Sequence, residues 1–376
     1  MLMDCTEFNK IVRFCVRNDI WPQADLNSPL FTPTAPFARL DVPQLSTLED
    51  LAEWLVLPLD RLDYLADPAS RYERHGDFAV NHYRYQLIGK RNGGVRLLEA
   101  PKVNLKGVQR KILVEILGAM PVHDDAFGFV KGRNCLVAAQ RHVGEQVVVS
   151  FDIARFFPSI SAGRVYGLFR CLGYPHNVAR HLCAFCTNVV PTRVLNKLLG
   201  TERALYRVPH LPQGAPTSPA LANQMAFGMD RRLSGLARCL GANYSRYADD
   251  FTFSGDQTIV RTLLRAVPAI VEEEGFGLNP AKTRVMQQSD RQTVTGVVVN
   301  AHLNVDRASF DRIKAVIHAC GKADDSRLMD ARFRASLLGQ IGWVESVNPP
   351  RGVKLRQLLE QAWLRRFAEA ADRPPK

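Results

Sequence analysis

The chain has 376 residues, 46% hydrophobic and 23% charged, enough to bury a large core and build two or three subdomains, which excludes wholesale disorder. Its 49 Lys and Arg outweigh 37 Asp and Glu, and the net charge of +12 points toward an anionic partner. No apolar run reaches the roughly 18 residues of a membrane span, the N-terminus (Asp4, Glu7, Lys10, Arg13) lacks the apolar stretch of a signal peptide, and 8 scattered cysteines read as free thiols, so a cytoplasmic protein with no membrane partner is expected.

Residues 1–75 carry a net charge of −5 and read as a small helical N-terminal extension. A short helical lead is followed by a loop punctuated by Pro22, Pro29, Pro33, Pro36 and Pro43. A helix then opens on a capping box at Ser46-Thr47-Leu48-Glu49, and Leu48, Leu51, Ala52 and Leu55 share one face before Pro58. From His82 the period becomes two. Tyr83, Tyr85 and Leu87 lead into a turn at Asn92-Gly93-Gly94 and return through Val95, Leu97 and Glu99, which predicts a β-hairpin tipped by Lys90, Arg91 and Arg96. Leu105, Val108, Ile112, Leu113 and Ile116 space as a helix, and residues 146–151 as a buried strand. Residues 220–233 form a predicted helix with Ser218 capping and Pro219 in the first turn, and residues 244–254 a second hairpin. The tail is an amphipathic helix with Leu355, Leu358, Leu359, Ala362, Trp363 and Phe367 inward and Lys354, Arg356, Arg365 and Arg366 outward. The class is α+β, and net charges of +12 over 76–300 and +5 over 301–376 place an anionic ligand on these two parts.

Two predicted strand ends carry carboxylates. Asp152 closes the apolar run Val147-Val148-Val149-Ser150-Phe151, where an ionised carboxylate is costly unless paired or metal-bound. Asp249 and Asp250 are adjacent at the tip of a hairpin that has neither Gly nor Asn to favour a tight turn. Either feature alone is compatible with a cap or a polar turn. Side by side, the three would suit two Mg²⁺ ions and nucleotidyl transfer.

The segments Ser150-Phe151-Asp152-Ile153-Ala154-Arg155-Phe156-Phe157-Pro158-Ser159-Ile160, Leu211-Pro212-Gln213-Gly214-Ala215-Pro216-Thr217-Ser218-Pro219 and Arg246-Tyr247-Ala248-Asp249-Asp250, in this order, resemble the active-site motifs of bacterial reverse transcriptases. The resemblance implies a right-hand polymerase fold, with fingers and palm over 76–300 and a helical thumb over 301–376. It implies an RNA-directed DNA polymerase using Mg²⁺ and deoxynucleoside triphosphates. Asp152, Asp249 and Asp250 would be catalytic, and with the Ile153 carbonyl would hold two metal ions. Phe157 would lie under the sugar of the incoming nucleotide, with Phe156 pointing to the other side of an extended chain. Gln213 and Gly214 would approach the nucleotide and template base, while Lys90, Arg96 and Lys282 would meet its phosphates.

Within the family, Gln213 with the following Ala-Pro-Thr-Ser-Pro, the run from Asp250 to Gly255, and Val294-Thr295-Gly296 look most like retron reverse transcriptases. That likeness implies a cognate noncoding RNA handled through Val294, Thr295 and Gly296, and the charge of the tail adds Lys354, Arg356, Arg365 and Arg366 as expected RNA contacts. It also implies a branched RNA–DNA product, a possible neighbouring effector protein and a role in anti-phage defence. The chain departs from the retron pattern at Ala138-Ala139-Gln140-Arg141-His142, where the first Ala replaces an Asn. A group II intron-like or other defence-type enzyme, a template-independent nucleotidyl transferase and an RNA-binding scaffold with an inactive palm stay open. Residues 187–211 are expected to be a solvated insertion, and Cys183 and Cys186 to be helix core rather than metal ligands.

Overall fold

The computed structural model describes residues 30–67, 82–89, 95–198, 203–322 and 325–371, with side chains through Arg365. The expected N-terminal helical lead, Lys90, Arg91, the turn at 92–94 and the side chains of Arg366 and Phe367 lie outside the described residues.

Helix α1 (Leu48–Leu55) buries Leu51, Ala52 and Leu55 as its spacing predicts, but its capping box starts one residue later than expected. Thr47 accepts from the Asp50 amide at 3.1 Å, and the Asp50 carboxylate accepts from the Thr47 amide at 2.9 Å and the Ser46 amide at 2.8 Å. One carboxylate thereby satisfies two amides, which Glu49 does not. Helix α2 (Leu59–Ala66) follows and buries Leu62, Leu65 and Ala66. Strands β1 (Tyr83–Gly89) and β2 (Val95–Pro101) form the predicted hairpin, in antiparallel register from Tyr83 opposite Pro101 to Gly89 opposite Val95. Helix α3 (Val103–Glu115) then buries Leu105, Val108 and Ile112.

The central sheet has the order β4-β5-β3-β6, from β3 (Val147–Asp152), β4 (Asn243–Tyr247), β5 (Asp250–Gly255) and β6 (Arg284–Gln287), all neighbours antiparallel. β3 is apolar on both faces because both are covered. Val147, Val149 and Phe151 enter a core built with helices α5 (Ala162–Cys171), α6 (His176–Cys186), α9 (Ser218–Cys239) and α10 (Ile259–Glu273). Phe151 stacks on Phe251 there, ring centroids 5.3 Å apart. Val148 faces the other way, into a second core with α4 (Cys135–Gln140), the short hairpin β7 (Thr293–Val294) and β8 (Val297–Val298), and the C-terminal helices α11 (Arg307–Cys320), α12 (Ala331–Val347) and α13 (Pro349–Ala371).

Two expectations need correction. Helix α9 extends to Cys239 and begins at Ser218, so Thr217 holds the cap position; the Ser218 hydroxyl donates to the Pro212 carbonyl at 2.7 Å and ties the helix to the preceding loop. Within the expected insertion, the described residues 187–198 and 203–211 pack rather than stand solvated: Val190, Leu195, Leu198 and Tyr206 close a third apolar cluster on Leu97 of β2, using the short helices α7 (Thr192–Leu195) and α8 (Arg203–Tyr206). The interleaved cations hide that apolar spacing, and Arg203 itself donates to the Leu198 carbonyl at 2.7 Å. Cys183 and Cys186 are buried in α6, where burial pushes the Cys183 thiol up to about 12. Among the described residues, no helix is long and apolar enough to cross a membrane.

Candidate active site

Three carboxylates meet where β3 ends and β4 turns into β5. Asp152, the last residue of β3, lies opposite Asp250, the first of β5, and Tyr247 pairs with Asp250 across the turn that holds Asp249. Ala248 takes a left-handed φ of 60°, a conformation that normally asks for glycine. The strained turn is anchored on both sides. The Ile153 amide donates to the Asp249 carbonyl at 2.9 Å, and Arg246 Nη1 donates to the Ala248 carbonyl at 3.0 Å.

Arg246 is fully buried and fully partnered. Its Nε and Nη2 donate to the two oxygens of Asp230 at 2.7 Å each, Nη2 also reaches Asn223 Oδ1 at 3.1 Å, and the Tyr244 hydroxyl donates to Asp230 at 2.9 Å. Burial alone would lower the guanidinium pKa; the Asp230 carboxylate more than offsets this and holds it above its ordinary value. A second buried device grips both strands of the same hairpin: His142 lies 2.7 Å from Ser245 Oγ on β4 and 2.7 Å from Ser254 Oγ on β5. Burial, aided by the charge of Arg141, drops the imidazole to about 3, so it is neutral and accepts through one nitrogen while donating through the other.

Loss of water and the charges of Asp249 and Asp152 push the Asp250 carboxyl up to about 7. Burial and Asp152 also raise Asp249, opposed by the positive charges of Lys282 and Arg96. Lys282 Nζ lies 2.6 Å from Asp152 Oδ2; against desolvation, that bond holds the ammonium pKa above its usual value. Among the described residues no group of three His, Cys, Asp or Glu is arranged so as to hold a metal ion by itself. The donor set nevertheless fits hard divalent cations, which take carboxylate oxygens together with substrate phosphates. The crowding of negative charge is the strain such ions relieve, and the Lys282 ammonium already stands against Asp152 as a cation.

The remaining expected residues fall into three groups. Gln213 and Gly214 lie against β2, the Gln213 carbonyl accepting from the Glu99 amide at 2.8 Å. Gly214 has a φ of 129°, and a Cβ there would stand 3.0 Å from the Glu99 carbonyl, so the close approach requires glycine. Phe156 is buried and Phe157 half-buried, but residues 154–159 form turns rather than an extended chain, Arg155 having a φ of 52°; the two rings therefore do not point to opposite sides and their centroids lie 5.6 Å apart. The described residues expected to bind RNA lie apart, toward the second core. Val294 is buried within it, while Thr295 and Gly296 form the left-handed β7–β8 turn, with φ of 50° and 83°. Lys354 and Arg365 are exposed, whereas Arg356 Nε donates to Glu345 at 2.8 Å.

Sequence reasoning missed His142 as a support, the Arg246–Asp230 pair, and a buried pair between His210 Nε2 and Glu99 Oε1 at 3.0 Å, whose carboxylate also accepts from Asn188 at 2.7 Å. The available signal was confined to Glu99, a charge on the face that Val95 and Leu97 of β2 share; the polar strand around Arg246 carries no such mark.

The reverse transcriptase (RNA-dependent DNA polymerase) family matches residues 88–299. The retron Mx65 reverse transcriptase of Myxococcus xanthus is 40% identical over 326 residues, covering 85% of this chain and 73% of that protein. The retron Mx162 reverse transcriptase of the same organism is 36% identical, covering 84% and 67%, and the retron Ec86 reverse transcriptase of Escherichia coli is 29% identical, covering 76% and 82%. A solved telomerase from Candida albicans superposes with a TM-score of 0.42 at 10% identity, covering 77% of this chain and 61% of that chain. A foamy viral protease–reverse transcriptase gives 0.39 at 12%, covering 97% and 58%. This chain thus spans about six tenths of those solved chains, and the family assignment stands on the sequence relatives. The carboxylate geometry, the family match and the 40% identity converge: the chain belongs to the reverse transcriptase family, as an RNA-directed DNA polymerase of the retron kind with the right-hand fold.

Proposed function

We propose that this reverse transcriptase extends a DNA strand at the site where Asp152, Asp249 and Asp250 meet, using two Mg²⁺ ions. The observation that carries the proposal is the register of β3 against β5, which sets Asp152 directly opposite Asp250 with Asp249 on the adjoining turn. When bound, the ions would lower the pKa of the primer hydroxyl and offset charge on the leaving pyrophosphate. Asp152, Asp249, Asp250 and the Ile153 carbonyl would hold them. Lys282 and Arg96 orient the triphosphate electrostatically, with Lys90 as a further cation of the same hairpin. Phe157 excludes a 2′-hydroxyl by shape, and Gln213 and Gly214 seat the base.

The template is a dedicated structured RNA, gripped by Thr295 and Gly296, with Val294 holding their turn, and by the cations Lys354, Arg356, Arg365 and Arg366. Residues 1–75, 76–300 and 301–376 act as extension, fingers with palm, and thumb. The product is a branched RNA–DNA that serves anti-phage defence in the cytoplasm beside an effector protein.

Primer extension on an RNA template by Asp152→Asn and Asp249→Asn tests the site. Each change removes a charge with little change of shape, and the expected loss is on the order of a hundredfold or more, several kcal/mol of transition-state stabilisation, with RNA binding retained. Extension near the wild-type rate with Mg²⁺ overturns the proposal.

A further inference from the structure

We infer that Phe129 is a nucleic-acid contact, an aromatic platform for the terminal base pair of the template–primer duplex. The inference rests on the active site proposed above. Six non-glycine residues have positive φ among those described. Val56 and Asp67 close helices α1 and α2. Ala248 lies in the catalytic turn, Arg155 follows Asp152 by three residues, and Thr295 turns the β7–β8 hairpin. The sixth is Phe129, with φ of 64° and 52% of its surface exposed. A large aromatic in this conformation is an outlier, and an exposed ring gains nothing from the core to compensate.

The loop that carries Phe129 is fastened to the catalytic hairpin. The Phe127 amide donates to the Arg246 carbonyl at 2.8 Å, and Asn223 Nδ2, whose own oxygen accepts from Arg246, donates to the Gly128 carbonyl at 3.0 Å. Gly128 lies so close to the turn that a Cβ would stand 2.4 Å from the Ala248 nitrogen. The same buried arginine thus positions the Asp249 turn and the Phe129 loop together. On its other side, the Phe129 ring is 6.1 Å from that of Phe157, at 49° to it. A half-exposed aromatic ring is therefore held beside Phe157 on a loop tied to the Asp249 turn. A base pair formed at this place presents an apolar, flat surface, and stacking on an aromatic tolerates every sequence.

Single-turnover extension of a DNA primer on an RNA template, with melting of each protein, tests this. Phe129→Gly removes the ring and relaxes the left-handed backbone, so it should melt no lower than wild type. Its extension at subsaturating template–primer should nonetheless fall on the order of tenfold, with Phe129→Leu impaired as well and Phe129→Tyr close to wild type. Wild-type extension by both Phe129→Gly and Phe129→Leu overturns the inference. So does a Phe129→Gly protein whose melting point falls in step with its activity, because the ring would then be structural. Asp249→Asn in the same assay separates the two readings: if it extends, the active-site proposal has failed, and if it is dead while the Phe129 variants are normal, only this inference has.

Discussion

The palm and the C-terminal helices treat polar side chains in opposite ways. Among the described residues every buried polar or charged side chain lies between Glu99 and Gln292, and none belongs to α11, α12 or α13. The palm buries Arg246 with Asp230, His210 with Glu99, and His142 with two serines, each with its hydrogen bonds made. The C-terminal helices cohere through Ile313, Ile317, Leu337, Ile341, Val344 and Leu355, and keep pairs such as Arg307–Asp311 and Arg356–Glu345 at the surface. Apolar packing is non-directional and supplies cohesion, whereas a fully satisfied buried network fixes where each atom must stand. The carboxylates need the second kind of support, because a turn with Ala248 in the left-handed region would otherwise relax.

The sharpest way to break this contrast is to remove one partner of each kind of pair. Arg246→Met strands the Asp230 charge in the core and should cost about 3–5 kcal/mol in urea unfolding, while Arg356→Met should leave stability unchanged. Replacing Asp230 by Leu in the Arg246→Met background should restore part of the loss. Equal effects of the two single changes would remove the distinction between the central sheet with its helices and the C-terminal helices.

A smaller effect comes from His142. Its imidazole titrates at 6.5 when free and at about 3 in the fold, so the unfolded chain takes up the proton first as pH falls. The stability it supports is complete above pH 6.5 and declines by about 1.4 kcal/mol per pH unit below that, down to about pH 3. The advantage of wild type over His142→Asn should therefore shrink between pH 7 and pH 5; a constant difference would show that the histidine titrates alike in the folded and unfolded chain, and a growing one that the fold holds it protonated.

The smallest effect is expected at the surface of α13. If Lys354 and Arg365 each meet a phosphate, replacing either with Ala should reduce the slope of log affinity against log salt by roughly 0.7–0.9. Arg356→Ala should change it less, because Glu345 already occupies the guanidinium. A salt titration of RNA binding orders the three.

The sequence by itself determined what is local. Alternation marked β1 and β2, a short apolar run marked β3, helical spacing marked α1, α3 and α13, and the carboxylate motifs placed Asp152, Asp249 and Asp250 at strand ends, because periodicity and turn chemistry act over a few residues. Even there a one-residue shift escaped it, since Glu49 and Asp50 are equally good acids and only the backbone direction after Ser46 selects one. What the tertiary structure decided is which distant groups meet. His142 and Ser254 are 112 residues apart, Asp152 and Lys282 are 130 apart, and His210 and Glu99 are 111 apart. In a linear chain a charged side chain reads as solvated, and no local pattern distinguishes Arg246, which is buried, from Arg356, which is not. The difference arises only when the β4–β5 hairpin folds onto α9 and brings Asp230 within 2.7 Å, for a buried charge is tolerable only where its partner has already been placed.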